Sequence, residues 1–210
     1  MFRIKLLGLI MAFTTGLLVA MTTPGLTESK SPALDQLKTG VNQILDVLKD
    51  TGLKGEGRKK DRRDNIHAII IKNFDFDEMA KRCLARNWAK LNDRERKEFT
   101  GVFSELLEAS YIGKIEKYTN EEVIFKSERE ASSDSTVVNT LIKTQNNEIP
   151  INYSMYPKGS KWWVYDVNIE GVSLIGNYRS QFNQILAKNS YQELIRRMKT
   201  RLTELGKEEK

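Results

Sequence analysis

Two carboxylates, Asp166 and Glu170, stand four residues apart in the stretch WWVYDVNIEGVSLI, residues 162–175. Paired carboxyl groups at a set separation are what glycoside hydrolysis requires. The same two residues, with Asn168, would equally tie a strand to a following helix through hydrogen bonds and salt bridges, and no second constellation favours catalysis. Cys83 is the only cysteine and His67 the only histidine, and they lie in separate helical segments, so nothing pairs a thiol with a base. Helical spacing sets Cys83 near Met79, the position of a buried, inert thiol. The chain has no Cys-x-x-Cys pair, no histidine cluster, no phosphate loop, no Gly-x-Ser-x-Gly elbow and no acidic calcium loop. The basic run RKKDRRD, residues 58–64, is interrupted by Asp61 and Asp64 and reads as a solvated helix start rather than a dedicated anion site.

The elements around these residues are legible from apolar period. Arg3 and Lys5, the apolar run Leu6–Ala20 and the segment Thr22–Gly25 have the layout of a secretory signal peptide over residues 1–25, with cleavage after Ala20 or after Gly25. The run is too short for a membrane span. Its removal lowers the formal charge from +6 to +4, a mildly basic balance that, with export, argues against nucleic acid as a partner. One cysteine excludes an internal disulfide, so residues 26–210 must cohere through a hydrophobic core as a single domain.

Leu34, Leu37, Val41, Ile44, Leu45 and Leu48 follow a helical period, which Gly52, Gly55 and Gly57 end. A second helix carries Ile66, Ile69 and Ile70. Asp75 is an N-cap with Glu78 completing a capping box, and a helix continues through Met79, Cys83, Leu84 and Trp88. Asn92 or Asp93 opens a long helix bearing Phe99, Val102, Phe103, Leu106 and Leu107 and extending toward Tyr118. The period then becomes two. Four strands are expected, from EEVIFKSERE, STVVNTLIKT, EIPINYSMYP and Lys161–Glu170, joined by short turns as an antiparallel meander. Pro150 implies that the third strand starts late or lies at an edge. In the fourth strand, strict alternation puts Trp163, Tyr165, Val167 and Ile169 on one side and Trp162, Val164, Asp166 and Asn168 on the other. Val172, Ile175, Tyr178, Phe182 and Ile185 form one helical face, and Tyr191 to Leu205 another, with a frayed tail over residues 206–210. The fold class is α+β, a curved four-stranded antiparallel sheet packed against several helices. Both faces of the sheet carry apolar residues, which fits either a plain core or a cavity between sheet and helices.

The segment WWVYDVNIEGVSLIGNYRSQF, residues 162–182, closely resembles the hallmark of the MlaC family, the periplasmic phospholipid-binding components of an ABC-type lipid transport system, also called toluene-tolerance auxiliary proteins. Residues 74–118 are similar to the family's helical region, and the likeness covers roughly residues 35–205. One departure is Cys83-Leu84-Ala85, where related sequences more often carry small residues around an Ala-Leu-Gly pattern; local repacking is expected from it.

The resemblance implies a periplasmic carrier with no catalysis and no cofactor, which holds phospholipid acyl chains in an apolar pocket between sheet and helices. It implies exchange with an outer-membrane lipoprotein complex and with an inner-membrane complex of an MCE-domain protein and an ABC transporter, by a monomer. On that reading Phe103, Leu106, Val138, Tyr153, Met155, Trp163, Tyr165, Val167, Ile175 and Phe182 line the pocket. Arg179 meets a lipid phosphate at the mouth or makes a surface salt bridge. Two alternatives stay open at this point: an exported chaperone-like scaffold that binds protein, and a hydrolase using Asp166 and Glu170.

Overall fold

The computed structural model describes residues 31–117 and 121–208. The expected signal peptide, residues 1–25, lies outside the described residues. Helix α1, Pro32–Lys49, opens with a proline in its first turn, where a missing N–H costs nothing. Only its N-terminal half is deeply buried, through Ala33 and Leu37. Two short 3-10 turns lead into α2, Lys59–Ile70. Helix α3, Phe76–Leu84, is capped by Asp75, whose carboxylate accepts from the Glu78 N–H. The reciprocal half of the expected capping box is absent, because the Glu78 side chain pairs with Arg82 and Lys81 instead. Helix α3 stops at Ala85, which takes φ 48° and ψ −121°, and a 3-10 turn carries the chain over Ala85–Lys90. Helix α4, Asp93–Glu116, starts from a complete capping box between Asn92 and Glu95.

Strands β1 (Glu122–Ser132), β2 (Ser135–Lys143), β3 (Glu148–Lys158) and β4 (Lys161–Ile169) form the expected meander, each antiparallel to the next. A two-residue fifth strand, β5 (Val172–Ser173), extends it beyond β4. The β4–β5 link is Glu170-Gly171 with φ of 51° and 86°. Positive φ at both positions is the type I′ hairpin geometry, which glycine tolerates readily. Pro150 sits inside the central strand β3, opposite Leu141, rather than delaying the strand. Its carbonyl accepts from the Glu170 N–H, beyond the last β3–β4 pair, Ile151–Ile169, so the donor it lacks would have faced past the end of β4.

The outer edge of β4 is covered piecemeal. Gln36 bonds the Trp162 backbone, Asn73 and Asp75 bond the Val164 backbone in a single parallel bridge, and β5 pairs with Asn168 and Ile169. An open edge would invite pairing with other chains.

Helices α5 (Leu174–Leu186) and α6 (Tyr191–Glu208) complete the chain, α6 running on through part of the tail expected to fray. A helical core joins α3, α4, α5 and α6 around Phe99, Phe103 and Phe182, whose rings stack or meet edge to face. Cys83 is fully buried there, and burial pushes its thiol up, as an inert core cysteine requires. A second core packs Ala33 and Leu37 of α1 on Val138, Met155 and Val164 of the sheet.

Candidate functional site

Register sets successive cross-strand rows on one face of the sheet. Thr136, Met155 and Val164 form the first, Val138, Tyr153 and Val167 the second, Thr140, Ile151 and Ile169 the third, and Val123, Ile142 and Ile149 the fourth. The first row is closed over by α1, with Met155 and Val164 fully buried. Farther along, the rows face open space. Val41, Ile44, Leu45 and Leu48 of α1, Ile69 and Ile70 of α2, and Leu107, Tyr111, Ile112 and Ile115 of α4 stand across from them. Between lies a cavity of about 510 Å3 with an overwhelmingly apolar lining. That volume and that lining are those of a site for an apolar small molecule.

The sequence dictates this opening. The stripe of α1 outruns the surface available to cover it, since Leu37 packs in the second core while Ile44, Leu45 and Leu48 do not join either core. Gly40 lets α1 cross the Asn73 turn closely; a Cβ there would meet the Asn73 amide at 3.0 Å.

The sheet side of the cavity carries a phenol. Tyr153 borders the cavity from the second row, burial pushes its phenol up to about 12, and its hydroxyl makes no hydrogen bond among the described residues. Charged groups border the cavity as well: Glu108, Lys114, Lys117 and Glu121. Glu108 is engaged by the His67 Nδ1 at 2.7 Å, a contact that joins α2 to α4.

Of the residues expected at a pocket, Tyr153 and Val167 border the cavity. Phe103, Leu106, Ile175 and Phe182 belong to the helical core, and Val138 and Met155 to the core beneath α1. The strict alternation read along β4 fails at Tyr165. A β-bulge sets Asp166 opposite Ser154 and Val164 opposite Met155, leaving Tyr165 as the extra residue. Trp162, Val164, Val167 and Ile169 therefore pack in the sheet–α1 core. Tyr165 turns to the helical core, with the Arg82 guanidinium 3.8 Å above its ring, and Trp163 stands opposite Tyr156. Arg179 donates to the Arg82 carbonyl at 2.9 Å, a contact between α5 and α3 remote from the cavity lining. The residues of α1 and α2 that border the cavity escaped the sequence reading. Their signal was present in the unbroken α1 stripe, but period alone does not say what a dry face meets.

The carboxylates Asp166 and Glu170 share no hydrogen-bond partner among the described residues. Asp166 accepts from the Ser173 hydroxyl at 2.5 Å and from the Ile175 N–H at 3.0 Å, so it locks β4 to the start of α5. Glu170 contributes its backbone to the β4–β5 turn, at φ 51° and with its N–H on the Pro150 carbonyl. Among the described residues no cluster of histidine, cysteine or carboxylate suits a metal, and no helix is long and apolar enough to cross a membrane.

The fold has counterparts among known proteins. The phospholipid-binding protein from Ralstonia solanacearum, solved in complex with a phospholipid, superposes with a TM-score of 0.76 over 84% of this chain and 99% of that one, at 24% identity. The intermembrane phospholipid transport system binding protein MlaC of Haemophilus influenzae is 28% identical over 141 residues. That match spans 65% of this chain and 66% of the relative, just under two thirds of its length. The family model described as MlaC protein matches residues 38–200, so the chain belongs to the MlaC family.

Proposed function

We propose that this protein is a periplasmic phospholipid carrier of an intermembrane transport system, exported by a signal peptide over residues 1–25 and acting as one domain. Acyl chains lie in the cavity between α1, α2, α4 and the sheet, and the headgroup stays at its charged border. No bond is made or broken, so the protein is not an enzyme. The observation that carries this reading is an apolar cavity of about 510 Å3 in a fold shared with a protein that binds phospholipid. The physical scale supports it: burying about ten methylenes contributes roughly 8 kcal/mol, the free energy of a micromolar complex before ordering costs are subtracted. A carrier needs that range, tight enough to hold lipid in water and loose enough to release it.

Membership of the family supports the following assignment of partners. Lipid is exchanged with an outer-membrane lipoprotein complex and with an inner-membrane MCE-domain and ABC-transporter complex, and the carrier travels as a monomer.

Native mass spectrometry of the protein without its signal peptide, followed by solvent extraction, tests the core of this reading. A discrete added mass matching one or two phospholipids is expected. Protein that remains lipid-free after incubation with phospholipid vesicles would overturn it.

A further inference from the structure

The run Arg58–Asp64 folds into something its sequence did not announce. Lys59, Arg62 and Arg63 of α2 and Lys114 and Lys117 at the end of α4 line a groove of about 480 Å3. Against these five cations the groove has two carboxylates, Glu56 and Glu116. Both are already engaged. Glu116 is clamped by Arg62 and by Arg63, each at 2.7 Å, and Glu56 lies 3.7 Å from Lys59. Burial alone would raise the Glu116 carboxyl, but the two guanidiniums outweigh it and hold it below the usual range, so it stays ionised beneath them.

Lys114 and Lys117 differ from the other three. They stand three apart on one helical face, both exposed, and neither has a carboxylate partner among the described residues; Lys114 rests only against the Tyr111 ring, 4.9 Å from its centroid. These same two lysines also border the apolar cavity. The groove and the cavity thus meet at a pair of ammonium groups that have no carboxylate partner among the described residues, at the end of α4, whose C-terminus keeps them charged.

We infer that this junction is a phosphate site for the headgroup of the bound lipid, and that it selects lipids whose headgroup carries net negative charge. The inference rests on the carrier reading above. An acyl chain in the cavity delivers its phosphodiester to Lys114 and Lys117, and the rest of the headgroup lies in the groove. There a zwitterionic headgroup brings its ammonium among cations that outnumber the groove's carboxylates, both of them occupied, while an anionic headgroup brings the opposite charge to those cations. Because the phosphodiester is common to both classes of lipid, the preference comes from Lys114 and Lys117 repelling the ammonium of the zwitterionic headgroup, about three- to tenfold at low salt and screened as ionic strength rises.

The test is competitive loading. Lipid-free protein is incubated with vesicles of equal phosphatidylglycerol and phosphatidylcholine of matched acyl chains, and the extracted lipids are quantified. The ratio of the two lipids is the readout, independent of total load. Enrichment of phosphatidylglycerol is expected, falling toward parity at about 0.5 M salt. In the double variant Lys114→Gln, Lys117→Gln the ratio is expected near parity at low salt too, with an unchanged thermal midpoint as control for folding. Equal loading by the wild type overturns the selectivity and leaves the carrier reading standing. Enrichment that survives in the double variant overturns the assignment to these lysines. Failure to load either lipid overturns the carrier reading and this one with it. Calorimetry with inorganic phosphate separates the two sources of the anion: phosphate binding that requires the two lysines, in a protein that shows no lipid preference, assigns the groove to free phosphate and overturns the headgroup site.

Discussion

The side-chain amide of Gln36 holds the backbone of Trp162 from both ends, accepting from its N–H at 2.9 Å and donating to its carbonyl. Trp162 faces Pro157 across the sheet, so these groups point off the β4 edge and need an outside partner. With Leu34 N–H on Glu128 and Leu37 in the core, this contact fastens the N-terminal half of α1, leaving the half with Ile44 and Leu48 to border the cavity. Gln36→Ala is expected to cost about 1–2 kcal/mol, since two backbone groups lose their partner. Amide exchange in α1 should quicken ahead of exchange in α4 and α6. Unchanged α1 protection would show that packing alone holds the helix.

The Asp75 side chain ties β3 to the start of α3. Its carboxylate accepts from Tyr156 at 2.5 Å, from Lys158 at 2.7 Å and from the Glu78 N–H at 3.0 Å, while only 7% exposed. Burial alone would raise this carboxyl, but the bonds from Lys158, Tyr156 and Glu78 outweigh it and hold it below the usual range. A depressed native pKa means stability that is complete above the unfolded value of about 4 and is lost as pH falls through the lower folded value. Urea unfolding followed from pH 6 to pH 2 should therefore show a steeper loss in the wild type than in Asp75→Asn. At neutral pH the variant should be weaker by about 1–3 kcal/mol. Parallel pH profiles would remove Asp75 from the acid response.

Ala85 ends α3 at φ 48° and ψ −121°, a conformation glycine adopts freely and alanine does not. The family resemblance puts glycine at this place, so the departure lies in the backbone rather than in the local repacking that side-chain size alone suggests. Ala85→Gly is expected to stabilise the fold by about 1 kcal/mol, the relief of strain exceeding the added freedom of the unfolded chain. Calorimetry should register a rise of about 2–4 °C. A lower midpoint would mean that the strain is absent.

The four long strands, α1, α4 and the caps at Asp75 and Asn92 were legible in the sequence because each depends on local chemistry: period, turn residues and a side chain reaching three residues ahead. The faces of β4 were not. One extra residue at Tyr165 reverses the alternation, and nothing in WWVYDVNI marks it, since the bulge is set by pairing with β3. The cavity was harder still. Phe103 and Phe182 were expected at a pocket and fill the helical core, whereas Ile44, Ile70 and Ile142 border the open space. Apolar side chains of like period reach both fates, and the difference lies in which elements converge.

Ile142 and Met155 make that difference measurable. Both point from the same sheet face, three rows apart on neighbouring strands of the meander, but Met155 is fully buried beneath α1 and Ile142 borders the cavity. Met155→Trp forces an indole into packed space and is expected to cost about 1–3 kcal/mol. Ile142→Trp extends the ring into volume that no side chain occupies, so its unfolding free energy should stay within about 1 kcal/mol of the wild type. The lipid extracted per protein should nonetheless fall severalfold, because the indole takes the place of acyl methylenes. Urea unfolding and lipid quantification on the two variants separate the outcomes. If Ile142→Trp proves as destabilising as Met155→Trp, the space is packed core and not a binding cavity. If it is tolerated but lipid load is unaffected, the acyl chains lie elsewhere.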